Sequence, residues 1–189
     1  MDKYNVYQDM SRRTGGEIYL GIVGPVRTGK STFIKRFMEL VVIPEMTDDN
    51  EKVRTIDELP QSADGKTIMT TEPKFIPKEA AVIHFSNQET GKIRLIDCVG
   101  YLVPEAVGAI EEEKERMVKT PWSEEEIPFS KAAEIGTSKV IREHSNLGLI
   151  ITTDGSFGDI PAVNFEEALQ KTVMEGEKAV KPFLILVNT

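Results

Sequence analysis

The chain has 189 residues, a formal net charge of −8, 40% hydrophobic residues and 29% charged residues. This length suits one α/β domain with a sizeable core and hardly suits two domains. The negative charge argues against non-specific nucleic-acid binding, which normally needs a basic surface. No apolar run approaches the ~18 residues of a membrane span, and the single cysteine, Cys98, excludes an intramolecular disulfide. These features predict a soluble cytoplasmic protein with no nucleic-acid partner.

The segment from Gly24 to Ser31 follows the phosphate-loop pattern of Gly, four residues, Gly, Lys and then Ser or Thr. A strand-like apolar run precedes it at 18–23, and residues 32–42 place apolar side chains at helical spacing. In this context the N–H groups of loop and helix converge on one anionic group. We expect Lys30 to bind the β- and γ-phosphates of a nucleotide and Ser31 to bind Mg²⁺. The other loop residues predicted to contact the nucleotide are Gly24, Arg27, Thr28, Gly29 and Thr32. For Arg27, a surface salt bridge is an equally good interpretation.

The chain from Pro44 to Pro77 is polar and interrupted by prolines, which predicts a long functional or mobile connection without a core strand. Two strands are predicted next, at 80–86 and 92–98. The polar residues and Gly91 between them favour an antiparallel hairpin. A second polar stretch covers 101–128 and includes acidic runs at 111–113 and 124–126, for which a solvated surface is the preferred interpretation over a metal site.

The remaining pattern alternates helices and strands. It predicts a helix over 129–144, a buried strand over 147–153, a helix over about 164–180 and a last strand over 182–188. Such alternation is typical of a mainly parallel sheet between helices. The sequence therefore predicts an α/β fold whose sheet carries one antiparallel edge hairpin. Because Thr189 follows a core strand directly, we expect the chain to be cut from a longer protein.

Four residues form the predicted catalytic set, and Lys30 is the first of them. Asp97 ends the apolar strand 93–96, where an acidic residue can hold Mg²⁺ directly or through water. Gly100 has the spacing at which a GTPase-type switch brings a backbone N–H to the γ-phosphate. Thr70 and Thr71 occupy the region of the first switch in Ras-like proteins. One threonine is predicted to bind Mg²⁺ and the other to hold the attacking water, although both also suit an ordinary extended loop.

Two departures from the Ras-like pattern affect the predicted reaction. Tyr101 stands where those GTPases have the glutamine that orients water, so either turnover is slow or Thr70 or Thr71 takes over that task. Asn188 stands where a guanine-reading motif begins, and we expect it to contact the nucleotide. Thr189 follows instead of the lysine that would pack along the base. The sequence therefore favours ATP over GTP.

The motifs together resemble one family. The phosphate loop, the segment 57–75, the Asp97–Tyr101 run, and shorter stretches at 120–122, 132–137 and 152–155 resemble the stage IV sporulation protein A family. Its members are spore-coat morphogenetic ATPases of endospore-forming bacteria. The likeness covers nearly the whole chain, and the segment 57–75 is more specific than the phosphate loop.

The resemblance implies a P-loop NTPase three-layer sandwich of translation-factor-type GTPase ancestry that has shifted to ATP. Residues 1–189 would form its ATPase domain, without the middle and C-terminal domains of the family. Matched by position, Lys30 and Ser31 would bind nucleotide and metal, Asp97 would serve the Mg²⁺ site, and Thr70 and Thr71 would sense hydrolysis.

The resemblance also implies partners and a place in the cell. The family protein polymerises on the outer forespore surface inside the mother cell, is anchored by a small amphipathic membrane-binding peptide and recruits coat proteins. The first hypothesis is therefore a Mg²⁺-dependent ATPase that drives self-assembly and meets the membrane only indirectly. The alternatives are a GTP-binding switch of the Ras-like class, a small-molecule kinase, and a nucleotide-binding scaffold without turnover.

Overall fold

The computed structural model describes residues 14–60, 71–84, 90–106, 110–111, 114–156 and 158–189. The strands are β1 (Glu17–Val23), β2 (Lys74–His84), β3 (Thr90–Asp97), β4 (Ile110–Glu111), β5 (Lys114–Glu115), β6 (Met117–Thr120), β7 (Ser123–Pro128), β8 (Leu147–Thr153) and β9 (Phe183–Asn188). The α-helices are α1 (Lys30–Phe37), α2 (Asp49–Glu58), α3 (Phe129–Lys139) and α4 (Glu166–Ala179). π-Helical turns extend α1 over Met38–Val42 and α3 over Val140–His144. Short 3-10 helices lie at Ile43–Glu45 and, just before α4, at Ala162–Phe165.

Five strands form the main sheet in the order β2-β3-β1-β8-β9. All neighbouring pairs are parallel except β2 and β3, which form an antiparallel edge pair. The predicted fold class is confirmed. The parallel pairs share their carboxyl ends at one edge of the sheet, which is where open α/β folds bind ligands. This edge carries Gly24 after β1, Asp97 at the end of β3 and Asn188 at the end of β9.

Side chains alternate between two apolar layers on either face of the sheet. In β1, Ile22 packs with the core on the α1 side, and Val23 packs with the core on the α3 side. Leu95 and Ile96 divide in the same way on β3. Successive strand residues point to opposite faces, so these near-continuous apolar strands fill both layers. Burial of each such side chain contributes about 1.5–3 kcal/mol. The result is helix, sheet and helix in three layers.

The connection predicted to lack a core strand contains α2, a helix that the sequence did not indicate. Asp48 caps α2, because its side chain accepts hydrogen bonds from the backbone N–H groups of Asn50 and Glu51. Within α2 itself only Thr55 is buried, so the helix lacks the apolar stripe that marks most helices in a sequence. β2 also begins at Lys74, earlier than predicted, and the 85–89 part of the predicted hairpin lies outside the described residues.

β2 was predicted too short because a proline normally ends a strand. Pro77 lies inside β2, in the region where the register between β2 and β3 shifts between Ile76 and Ala81. Such an irregularity on an edge strand tolerates a residue without an N–H group. The local sequence does not show that β2 continues through Pro77, because this depends on how β2 pairs with β3.

The polar stretch 101–128 also contains strands that the sequence did not indicate. β4 pairs with β5, and β6 pairs antiparallel with β7. The β6–β7 hairpin lies next to the start of α3, where the Arg116 guanidinium lies 5.2 Å from the ring centre of Phe129. The acidic run 124–126 is exposed on β7, as predicted. None of the helices in the described part of the chain has the length and apolarity to cross a membrane.

Candidate nucleotide site

The phosphate loop joins β1 to α1 and depends on two glycines. Gly24 has φ +132°, and a Cβ at this position would overlap the carbonyl oxygen of Ile151 on β8. Gly29 has φ +91° and precedes α1 directly. Both angles lie in the region that side-chain-bearing residues rarely adopt. The glycine spacing of the motif is therefore required by the backbone of the loop and by its close contact with β8.

Lys30 is buried and lies back along the phosphate loop. Its Nζ donates to the carbonyl oxygens of Pro25 at 2.6 Å and Gly24 at 3.4 Å. Only 4% of the residue is exposed. Burial lowers the pKa of Lys30, while the nearby charge of Asp97 acts in the opposite direction. A buried cation held by carbonyl oxygens is well placed to meet an anionic ligand at this loop.

Ser31 and Asp97 meet at the start of α1, although they are 66 residues apart. Ser31 Oγ donates to Asp97 Oδ2 at 2.8 Å. The second carboxylate oxygen, Oδ1, is buried and has no hydrogen-bond partner among the described residues. Burial raises the pKa of Asp97, while the Ser31 hydrogen bond and the Lys30 charge oppose that rise. A hydroxyl beside a carboxylate with a free buried oxygen is an oxygen donor set that suits Mg²⁺.

Gly100 lies against the phosphate loop. Its φ is +91°, and a Cβ built on it would overlap the carbonyl oxygen of Gly24 and lie 2.8 Å from Lys30 Nζ. No side chain fits between this residue and the loop. The backbone that follows Asp97 therefore reaches the same point as the Lys30 ammonium group.

Tyr101 continues this approach, and its side chain packs against Val26 of the loop. Its carbonyl oxygen accepts a hydrogen bond from the Val26 N–H group at 2.9 Å, and Tyr101 pairs with Pro25 as a short parallel bridge. The ring is 6% exposed and packs in an apolar cluster with Val26, Val103, Phe165 and Ala168. Burial raises the pKa of the Tyr101 phenol. Apolar packing and a backbone hydrogen bond therefore hold this residue.

Asn188 contacts the loop through its side-chain amide. Its Nδ2 donates to the carbonyl oxygen of Thr28 at 3.2 Å, across 160 residues of chain. The Thr28 hydroxyl is buried and donates to the Pro25 carbonyl at 3.0 Å. The Thr28 side chain therefore braces the loop. Asn188 ties the end of β9 to the same loop.

The remaining predicted site residues lie at different depths. Arg27, at φ +63°, and Thr32 are exposed at the loop and at the first turn of α1. Thr71 is 5% exposed and lies beside α3, where a Cβ on Gly136 would come within 2.6 Å of the Thr71 carbonyl oxygen. Thr70 lies outside the described residues. The roles of both threonines remain predictions.

Sequence reasoning missed three contacts of the site: the Val26–Tyr101 hydrogen bond, the bracing by Thr28, and the close approach of Thr71 to α3. A glycine inside a helix is the only local signal for the last of these. Cys98 lies beside the site as a buried core residue. Its thiol contacts the Ile22 carbonyl at 3.6 Å, and burial raises its pKa to about 11.

Comparison with known proteins agrees with the geometry. The family model described as "Stage IV sporulation protein A, ATPase domain" matches residues 1–189. The chain is 55% identical over 189 residues to Stage IV sporulation protein A of Bacillus subtilis (strain 168), which covers 100% of this chain and 38% of that protein. It is 50% identical over 185 residues to the protein of that name from Clostridioides difficile (strain 630), covering 98% of this chain and 38% of that protein. The family resemblance that the motifs indicated is confirmed. The chain spans well under half the length of these relatives.

Proposed function

Because this chain belongs to the family of the Stage IV sporulation protein A ATPase domain, we propose that it binds ATP at the phosphate loop, with Mg²⁺ held by Ser31 and Asp97, and hydrolyses it. The observation that carries this proposal is the Ser31 Oγ hydrogen bond to Asp97 Oδ2, 2.8 Å long, beside a carboxylate oxygen that has no hydrogen-bond partner in the described part of the chain. A hydroxyl and a carboxylate brought together beside a buried lysine suit a phosphate and cation site far better than a structural ion pair.

Each group has a distinct task in the proposed reaction. The loop N–H groups between Gly24 and Lys30 bind the phosphate oxygens, and the free N–H groups at the start of α1 add to the field there. Lys30 leaves its carbonyl partners to neutralise charge on the β- and γ-phosphates. The Gly100 N–H group donates to the γ-phosphate. The N–H groups of the loop and of the helix start are fixed before the ligand arrives, so they stabilise developing charge without reorganisation, whereas the Lys30 side chain has to move.

The proposed metal ligands are Ser31 and Asp97, with Thr70 or Thr71 as a further ligand from the connection before β2. When bound there, Mg²⁺ supplies positive charge that neutralises the phosphate oxygens. The other threonine holds the attacking water in line with the γ-phosphate. Tyr101 has no such task in this proposal, because its ring is packed in the apolar cluster.

Adenine is the proposed base. Asn188 uses its amide on the Thr28 carbonyl, and Thr189 lacks the long aliphatic chain that would pack along guanine. A guanine-directed site normally has a lysine directly after this asparagine, and here that position is Thr189. A GTP switch is the second candidate, favoured by one observation only, the amide of Asn188 at the end of β9 next to the loop.

The proposed biological role rests on the family. ATP turnover changes the conformation of the segments around Thr71 and Gly100 and drives self-assembly into a basement layer of the spore coat. That layer lies on the outer forespore surface in the mother cell. The proposed partners are further copies of the chain, coat proteins, and a small amphipathic peptide that provides indirect attachment to the membrane. Pelleting of the full-length protein with ATP, compared with a non-hydrolysable analogue, tests this role.

The test of nucleotide binding is calorimetry with ATP and GTP, with and without Mg²⁺, on the wild type, Lys30→Ala and Lys35→Ala. Lys35 is a matched control because it is a lysine of the same helix and lies in its last turn, at the opposite end from the loop. We expect ATP to bind more tightly than GTP, Lys30→Ala to lose binding by roughly a hundredfold or more, and Lys35→Ala to bind as wild type. Unchanged affinity in Lys30→Ala would contradict the site, and a preference for GTP would favour the second candidate.

A further inference from the structure

Tyr101 joins three parts of the site through its backbone and its ring. Its carbonyl oxygen accepts a hydrogen bond from the Val26 N–H group at 2.9 Å. Through this bond Tyr101 forms a short parallel bridge with Pro25 of the phosphate loop. Its ring fills a cluster that includes Val26 from the loop, Phe165 from the 3-10 helix before α4, and Ala168 from α4. The residue therefore fixes the distance between the loop, the backbone after Asp97 and α4.

Gly100 immediately precedes this anchor and has no room to move toward the loop. A Cβ on Gly100 would overlap the Gly24 carbonyl oxygen, so the two backbones are already in van der Waals contact. Movement away from the loop would pull Tyr101 out of its cluster and break the Val26 hydrogen bond. The ring thus helps to keep the Gly100 backbone at the loop.

We infer that Tyr101 is a positioning residue that holds the Gly100 N–H group at the γ-phosphate position, so that ATP is distinguished from ADP. This inference rests on the proposed function, since it requires nucleotide at the loop. It also gives a role to the tyrosine that stands where Ras-like GTPases have a water-orienting glutamine. The aromatic ring acts through backbone placement and does not contact the reacting atoms.

If Tyr101 only filled the core, its substitution would weaken the binding of ATP and of ADP to the same extent. The γ-phosphate is the only group that ATP has and ADP lacks, so a misplaced Gly100 N–H group changes the ratio of the two affinities. Loss of one hydrogen bond to a charged group corresponds to roughly tenfold or more in affinity. The ADP affinity, which depends on the loop and Lys30, should change by less than about threefold.

The experiment measures the dissociation constants of adenylyl imidodiphosphate and ADP, each with Mg²⁺, for the full-length protein and four variants. Tyr101→Ala removes the ring, Tyr101→Leu keeps part of the apolar volume if the alanine variant fails to fold, and Tyr101→Phe keeps the whole ring. Ile83→Ala is the control for general destabilisation, because Ile83 is 7% exposed and lies on β2 opposite Gly91, at the far end of the β2–β3 pair from Asp97.

The expected result is a selective loss of the ATP analogue. Tyr101→Ala should weaken its binding by roughly tenfold while ADP binding is kept, with a smaller loss in Tyr101→Leu and none in Tyr101→Phe or Ile83→Ala. Equal losses for both nucleotides, or none, in the Tyr101 variants overturn the inference while the proposed function stands. Wild-type protein that binds neither nucleotide refutes the proposed function, and the inference falls with it.

Discussion

Substitution of Gly100 by alanine tests the close contact on which the site is built. The backbone at Gly100 has φ +91°, so any side chain there carries strain of about 1–2 kcal/mol. The new methyl group would also overlap the Gly24 carbonyl oxygen, an atom of a loop that cannot retreat because Gly24 itself lies against Ile151. Overpacking of this kind costs about 1–3 kcal/mol. We expect a total destabilisation of about 2–5 kcal/mol.

The structure provides a matched control for the strain alone. Gly158 has φ +81°, and a Cβ there would meet nothing within 4 Å. Gly158→Ala should therefore cost only about 1–2 kcal/mol. The difference in the free energy of unfolding between the two variants therefore measures the cost of the steric overlap at Gly100. For a domain of this size each kcal/mol lowers the melting temperature by about 2–4 °C.

The assay is thermal unfolding of both variants without nucleotide, followed by calorimetry with ATP and Mg²⁺. Gly100→Ala should melt below Gly158→Ala and lose ATP affinity, since displacement of the Gly24 carbonyl also disturbs an acceptor of Lys30 Nζ. Gly158→Ala should bind ATP as the wild type does. The reasoning is refuted if Gly100→Ala matches Gly158→Ala in melting temperature and also keeps wild-type ATP affinity.

Two further predictions follow from buried titratable groups. Burial raises the pKa of Asp97, so the folded chain binds a proton more readily than the unfolded chain, and stability without ligand falls as pH rises through that raised pKa. Asp97→Asn should therefore have a higher melting temperature than the wild type at neutral pH without nucleotide, and a lower melting temperature would contradict this. Its ATP turnover should fall roughly a hundredfold or more. Burial also raises the pKa of Cys98 to about 11. Iodoacetamide at pH 8 should therefore leave the thiol of the native protein unmodified and should label it after unfolding. Mass spectrometry of the two samples measures this difference. Rapid labelling of the native protein would show that Cys98 is not a core residue.

The parts of this protein that the sequence alone determines are those with a local physical cause. The phosphate loop is recognisable because its glycines, lysine and serine serve one stretch of backbone. The helices at 129–144 and 164–180 and the strands at 147–153 and 182–188 agree with the structure within a few residues, because their apolar spacing matches the layer that buries them. The sequence predicts the position of Asp97 at the carboxyl end of its strand, because an apolar run directly precedes it.

Only the tertiary structure decided the contacts between distant segments. α2 forms with little apolar patterning, and β2 continues through Pro77 where the register of β3 permits it. The hydrogen bond of Asn188 to Thr28 and the burial of Tyr101 against Val26 likewise arise from residues far apart in the chain. Periodicity reports which face of an element is buried, but it carries no information on which distant residue lies opposite. That pairing depends on the register and order of the strands, which exist only once the sheet has assembled.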